Sequence, residues 1–247
     1  MDQWSGGNLR WSDTDGPIMK GRWESPRSLP AEPCLLKLEA HAEGQIVDFK
    51  YLEVRNGELP EIQERSDGSV VIRKIAGEQE HSSGWHEAEM ERGTVGHQIH
   101  LLGGIESGHF DYRFSLPRGT SLGDFSELEF IAELSSKRPD AAQTEASQWP
   151  SHVVVSIDGT EIAGETLTDQ YADSRGALSH IHGFWGRYGE LLHLQVDRPA
   201  IEKIAECDDE SVLVRLHIPR EIQPGGLVVY SSRAGRFPVD PTLILHP

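Results

Sequence analysis

The chain has 247 residues, with 23 Lys and Arg against 40 Asp and Glu, and a formal net charge of −17. At 37% hydrophobic residues, with 25 Gly and 14 Pro, it is polar and loop-rich but long enough for one large core or two small ones. A field this negative repels phosphate backbones, which sets nucleic acid aside, and no apolar run approaches the roughly 18–20 residues of a membrane helix.

The start, Met1-Asp2-Gln3-Trp4-Ser5, has neither the basic cluster nor the apolar stretch of a secretory signal, which favours a cytoplasmic location. Residues 1–32 read as an extended lead-in or linker, punctuated by Gly6-Gly7, Gly16-Pro17 and Ser25-Pro26. From 33 to 247 the pattern is that of a β-sandwich region. Short runs at Leu35–Leu38 and Ile46–Val54 come first. A hairpin follows, with Glu61–Arg65 and Val70–Arg73 flanking Asp67-Gly68, a pair that supplies the positive φ values of a tight turn. His97–Leu102 and Phe110–Leu116 are the next strands. Glu127–Leu134 alternates cleanly: Leu128, Phe130, Ala132 and Leu134 face a core, and Glu127, Glu129 and Glu133 face water. Pro139–Pro150 is a long surface loop. Val153–Ile157 and Thr160–Ile162 flank Asp158-Gly159 in a second hairpin. Leu191–Val196 is a strand, Ala200–Glu206 a short helix, and Val212–Ile218 and Leu227–Tyr230 complete the set. Roughly ten short strands with hardly any helix predict an all-β fold, a sandwich of jelly-roll, galactose-binding-like type.

Motifs with chemical content are few. Cys34 and Cys207 are too few for a disulfide framework and form no zinc pattern; they read as small buried residues, with one long-range disulfide as the alternative. Gly119-Thr120-Ser121-Leu122-Gly123 matches G-x-S-x-G in letters, but the helix that must follow a nucleophile elbow is missing, so a polar turn is expected. Gln98-Ile99-His100 resembles a triplet of jelly-roll alginate lyases, whose other two motifs are absent. A free-standing polysaccharide lyase using His100 and a tyrosine such as Tyr112 is one alternative function. Glu206-Cys207-Asp208-Asp209-Glu210 offers oxygens to calcium but lacks EF-hand spacing, and a solvated acidic turn is the plainer reading. His180 and His182 share a side of an extended segment near Asp173 without a third ligand at metal spacing. No catalytic residue, no metal ligand and no cofactor are assigned.

The densest candidate site is the segment from Asp173 to Glu190. It gathers Asp173, Arg175, His180, His182, Trp185, Arg187 and Tyr188 among four glycines, with Trp149 at the end of the preceding loop. Sugar sites need this mixture, because flat aromatic faces stack on C–H surfaces while Arg, His and Asp hydrogen-bond hydroxyls.

The order Phe110–Pro117, Glu127–Phe130 and Val153–Ile157 with Asp158-Gly159 is similar to the jelly-roll sugar-binding domains of family 2 glycoside hydrolases. Asp173–Ser179 with Tyr188-Gly189 resembles the carboxy-terminal sandwich of some large bacterial members. The likeness covers about residues 107–235. It implies a non-catalytic domain that binds an oligo- or polysaccharide or orients a substrate, beside a catalytic barrel supplied by another domain or subunit. In that family the paired carboxylates of catalysis lie on the barrel. A structural interface domain without a ligand of its own is the remaining alternative. For a chain of this charge, a neutral glycan is the easier partner.

Overall fold

The computed structural model describes residues 8–12, 20–24, 34–42, 45–54, 60–74, 80–81, 86–92, 97–105, 107–137, 151–167, 190–205, 210–220, 226–230, 232, 237 and 239–247. The chain divides into two units, Met1–Leu35 with Glu53–Glu58, and Leu36–Leu52 with Leu59–Pro247. In the first, β1 (Asn8–Ser12) and β2 (Lys20–Glu24) pair antiparallel within the stretch expected as a lead-in. β3 (Cys34–Ala42) and β4 (Gln45–Val54) make a separate two-stranded sheet.

The second unit contains the sandwich. Its strands are β5 (Ile62–Glu64), β6 (Val70–Arg73), β7 (Glu80–His81), β8 (His86–Arg92), β9 (His97–Ile105), β10 (Gly108–Ser115), β11 (Glu127–Lys137), β12 (Ser151–Ile157), β13 (Thr160–Leu167), β14 (Glu190–Asp197), β15 (Ser211–Ile218), β16 (Gly226–Tyr230) and β17 (Thr242–His246). Among the described residues one sheet runs β13-β12-β15-β10-β7. The other runs β5-β6-β17-β11-β16-β9-β8, with β14 on the free side of β11. The strand pairs within both sheets are antiparallel, and the all-β sandwich expected from the sequence is the observed fold.

Period-two patterning builds the core. Phe110, Tyr112 and Phe114 of β10, Val212, Val214 and Leu216 of β15, and Val153, Val155 and Ile157 of β12 point inward from one sheet. They meet Leu128, Phe130, Ala132 and Leu134 of β11, with Leu227, Val229, Leu243 and Leu245 beside them. Phe114 and Phe130 join the sheets edge-to-face, with centroids 6.2 Å apart. Burial of each Val, Leu, Ile or Phe side chain among them contributes about 1.5–3 kcal/mol. Tyr112 is 1% exposed in this core, so it is not the tyrosine a lyase site would present to a substrate.

β11 is shared along its length. Its first half pairs with β17 and its second half with β16, while β14 lines the opposite side. This arrangement corrects the expected water-facing row. Glu133 is 1% exposed, and its carboxylate accepts a hydrogen bond from the Phe237 backbone N–H of the β16–β17 connection. Glu129 is also partly covered, held between His193 Nε2 of β14 at 2.5 Å and His246 Nε2 of β17 at 2.7 Å. Alternation assigns the faces correctly; the cover over one of them comes from distant strands.

Both hairpins form. Asp158 (φ 45°) and Gly159 (φ 81°) make the two-residue turn of β12–β13, and Asp158 Oδ1 accepts from Leu213 N–H of β15. The first hairpin is wider: Arg65 pairs with Ser69, and Gly68 at φ 85° completes a three-residue loop. Ser121 leads into a single 3-10 turn and donates to Asp124, so the G-x-S-x-G letters mark a polar turn. The helix, α1 (Arg198–Ile204), begins before the expected Ala200 because Asp197 caps it through Ala200 N–H and Pro199 suits its first turn. No helix among the described residues is long and apolar enough to cross a membrane.

Candidate functional site

Trp149, Asp173, Arg175, His180, His182, Trp185, Arg187 and Tyr188 all lie outside the described residues, as do Cys207 and the acidic run 206–209. Their described flanks converge. Lys137, before the first segment, is the Cα partner of Gly226, whose carbonyl accepts from the Ser151 hydroxyl just after that segment. Ser151 is in turn the partner of Leu167, where the second segment begins, and Glu190, where it ends, pairs with Leu134. Both segments therefore leave from and return to the same rim of the sandwich.

An open cleft of about 670 Å³ lies against that rim on the outer face of the five-stranded sheet. Inward residues of β15 alternate with Leu213, Arg215 and His217, and inward residues of β10 with His109, Asp111 and Arg113. Cross-strand register sets the outward side chains in rows. One row is Glu161 of β13, Ser156 of β12, Arg215 of β15 and Asp111 of β10. The next, closer to the rim, is Gly164, Val154, His217 and His109. Pro219 and Arg220 extend the cleft to the rim itself.

A β-bulge brings Glu161 to this face. The β12–β13 register shifts between Val155 and Ser156, so Ala163 opposes Val155 while Glu161, rather than Ile162, opposes Ser156. The extra residue keeps Ile162 packed on the core and aims Glu161 outward, as bulges commonly do at sites.

The cleft is electrostatically structured. Asp111, 5% exposed, receives two parallel bonds of 2.7 Å from Arg215 Nε and Nη2, the fork geometry that makes an Arg–carboxylate pair strong and well oriented. His217 lies beside this pair with Nδ1 buried and, among the described residues, without a hydrogen-bond partner. Burial pushes its pKa below the ordinary imidazole value, and the Arg215 and His109 charges add to that against the opposing pull of Glu161 and Asp111. A neutral imidazole beside the Arg215 guanidinium can donate to a ligand oxygen without first taking up a proton. A second cleft, of about 630 Å³, opens at the opposite end between Glu127, Thr160, Gln195 and the start of α1. No group of His, Cys, Asp and Glu able to hold a metal occurs among the described residues.

Sequence pattern does not reveal this cluster: Arg215 and His217 read as the solvated side of a strand. The signal is thin, four charged or imidazole side chains at alternate positions of two strands far apart in the chain, with no local motif.

No protein-family model matches the sequence, and no curated protein is significantly similar to it. Solved structures resemble it loosely. A family 35 carbohydrate-binding module from Clostridium thermocellum is 8% identical, with a TM-score of 0.37, over 72% of this chain and 98% of that one. The Agl-KA catalytic domain is 11% identical, with a TM-score of 0.40, over 78% of this chain and 30% of that one. A family 11 module from Clostridium thermocellum, in complex with a β-1,3-1,4-mixed-linked tetrasaccharide, is 11% identical, with a TM-score of 0.29, over 71% and 95%. Likenesses this loose transfer neither a ligand nor a residue role.

Proposed function

We propose that the chain is a non-catalytic carbohydrate-binding β-sandwich. The observation that carries this reading is the polar cleft on the five-stranded sheet, open to solvent and bordered by the rim from which the Trp149 and Asp173–Glu190 segments depart. A sugar presents hydroxyls at its edges and C–H surfaces on its faces. His109, Arg215, His217, Ser156 and Glu161 answer the edges with donors and acceptors held on strands. Trp149, Trp185 and Tyr188 supply stacking surfaces, and Asp173, Arg175, His180, His182 and Arg187 supply further hydrogen bonds. In this reading the domain holds an oligo- or polysaccharide for a glycoside hydrolase barrel on another domain or subunit, in keeping with the family 2 likeness of residues 107–235.

Affinity electrophoresis through gels carrying a broad panel of polysaccharides tests the proposal. Retardation is expected in at least one gel, and is reduced by Trp185→Ala and by His217→Gln. Free migration in every gel ends it.

A further inference from the structure

His217 is partly exposed and lines the cleft, yet its Nδ1 is buried and has no hydrogen-bond partner among the described residues. A neutral imidazole suits that position by keeping its proton on Nε2, because an unused lone pair is easier to bury than an orphaned N–H. The ring then offers the cleft one donor. A protonated ring carries an N–H on both nitrogens, and the one on Nδ1 is buried with a charge behind it and no acceptor.

The neighbouring strands do not relieve this. On β15 the adjacent outward group is the Arg215 guanidinium, a charge like that of imidazolium. On β10 the cross-strand partner is His109, a second imidazole, and Asp111 beyond it already receives both Arg215 bonds. On β12 the partner is Val154, apolar and 5% exposed, while His152 shares a hydrogen bond with Thr166 Oγ1 at 3.1 Å. On β13 the row continues to Gly164, and Glu161, in the row of Arg215, is a carboxylate that favours the charged ring. Arg220 lines the same cleft. Burial and Arg215 outweigh Glu161 and Asp111, and His217 binds its proton below the ordinary imidazole value. A protonated ring gains a partner for Nδ1–H by turning that edge out to water, which moves the ring into the cleft and takes Nε2–H away from a ligand.

We propose that the cleft is proton-gated: it holds a glycan while His217 is neutral and releases it when His217 takes up a proton. The inference rests on the carbohydrate-binding reading and adds its regulation. Only the neutral fraction of the chain binds, so the apparent Kd is the intrinsic one divided by that fraction. It is flat above the ordinary imidazole value of 6.5 and climbs below the lower folded value, by about tenfold for each pH unit. Reciprocity requires that bound glycan lower the His217 midpoint further.

Titration calorimetry of the full chain with xylan, galactomannan, mixed-linkage β-glucan, dextran and dextran sulfate, from about pH 8 to about pH 4.5, tests it. Hydroxyls and sulfates do not titrate in that range, so any pH dependence belongs to the protein. At least one polymer is expected to bind near neutral pH and to lose affinity as the pH passes below the His217 midpoint read by two-dimensional NMR. Saturating polymer should move that midpoint down. Melting curves at each pH separate release from unfolding. His217→Gln keeps an N–H donor but takes up no proton, so it should bind more weakly near pH 8 and with an affinity independent of pH. His109→Gln should keep the pH dependence. Affinity that is constant across the His217 midpoint, a dependence that survives His217→Gln, or a His217 that stays neutral throughout the folded range overturns the gate and leaves the carbohydrate reading standing. Absence of binding to these and to every other polymer of the panel overturns both.

Discussion

Replacing Arg215 with Met strands the Asp111 carboxylate. Asp111 is 5% exposed, and its two oxygens each lose a 2.7 Å charge-assisted bond, leaving only the imidazoles of His109, at 3.8 Å, and His217 near it among the described residues. Breaking a fully buried ion pair by removing one partner costs about 3–5 kcal/mol. The Arg215 side chain is 42% exposed, so water reaches part of the vacated space, and the expected cost falls to about 2–3 kcal/mol. For a domain of this size, that corresponds to a melting temperature lowered by roughly 4–12 °C. Urea denaturation of Arg215→Met, Asp111→Asn and the double variant measures it. The double variant should be less destabilised than the sum of the singles by about 1.5–3 kcal/mol, because neither group is then left unpaired. Additivity within about 0.5 kcal/mol, at unchanged denaturant slope, would refute the claim that this pair organises the outer face.

Burial raises the Glu129 pKa, but the hydrogen bonds and charges of His193 and His246 outweigh it and hold the carboxyl below its ordinary 4.5. The stabilisation is therefore full above pH 4.5 and lost as pH falls through the lower folded value; Glu129→Gln should flatten the fall in stability below pH 4.5 in acid-unfolding curves. His217, pushed below its ordinary 6.5 by burial and by Arg215, binds its proton later in the folded chain than in the unfolded one. Stability should fall as pH drops from 6.5 toward that lower value and less so in His217→Gln, and imidazole resonances in a two-dimensional NMR titration should show the low midpoint directly. Gly159 at φ 81° has open space where an added methyl group would sit, so Gly159→Ala costs backbone strain alone, about 1–2 kcal/mol in thermal melts.

The parts of the fold legible in the sequence are those written in short-range pattern. Leu128, Phe130, Ala132 and Leu134 announce their strand and its buried face, and Asp158-Gly159 announces its turn, because each signal fits within a few residues. β17 escapes such a reading although Thr242-Leu243-Ile244-Leu245 is strongly apolar; buried on both faces, it has no alternation to detect. Glu129 and Glu133 look solvated for the opposite reason: their partners His193, His246 and Phe237 arrive from other strands and connections. The cleft is the least legible feature. Asp111 and Arg215 are 104 positions apart, and the bulge that aims Glu161 outward has no mark in Thr160-Glu161-Ile162-Ala163 that distinguishes it from plain alternation. Sites made by register between distant strands leave no spacing in the chain.

The sharing of β11 between β16 and β17 also dictates an order of assembly. The β5–β6 hairpin joins its sheet through β17, the strand made after every other described strand of this chain. During synthesis Val70 and Ile72 therefore wait with one edge unpaired while the rest of the sandwich is made. Closure must bridge nearly the whole sandwich in sequence, the kind of long-range pairing that folds slowly. Until β17 docks, the nascent chain presents two open edges, on β6 and on the first half of β11, and shielding them in that interval is where a chaperone would have the most to do.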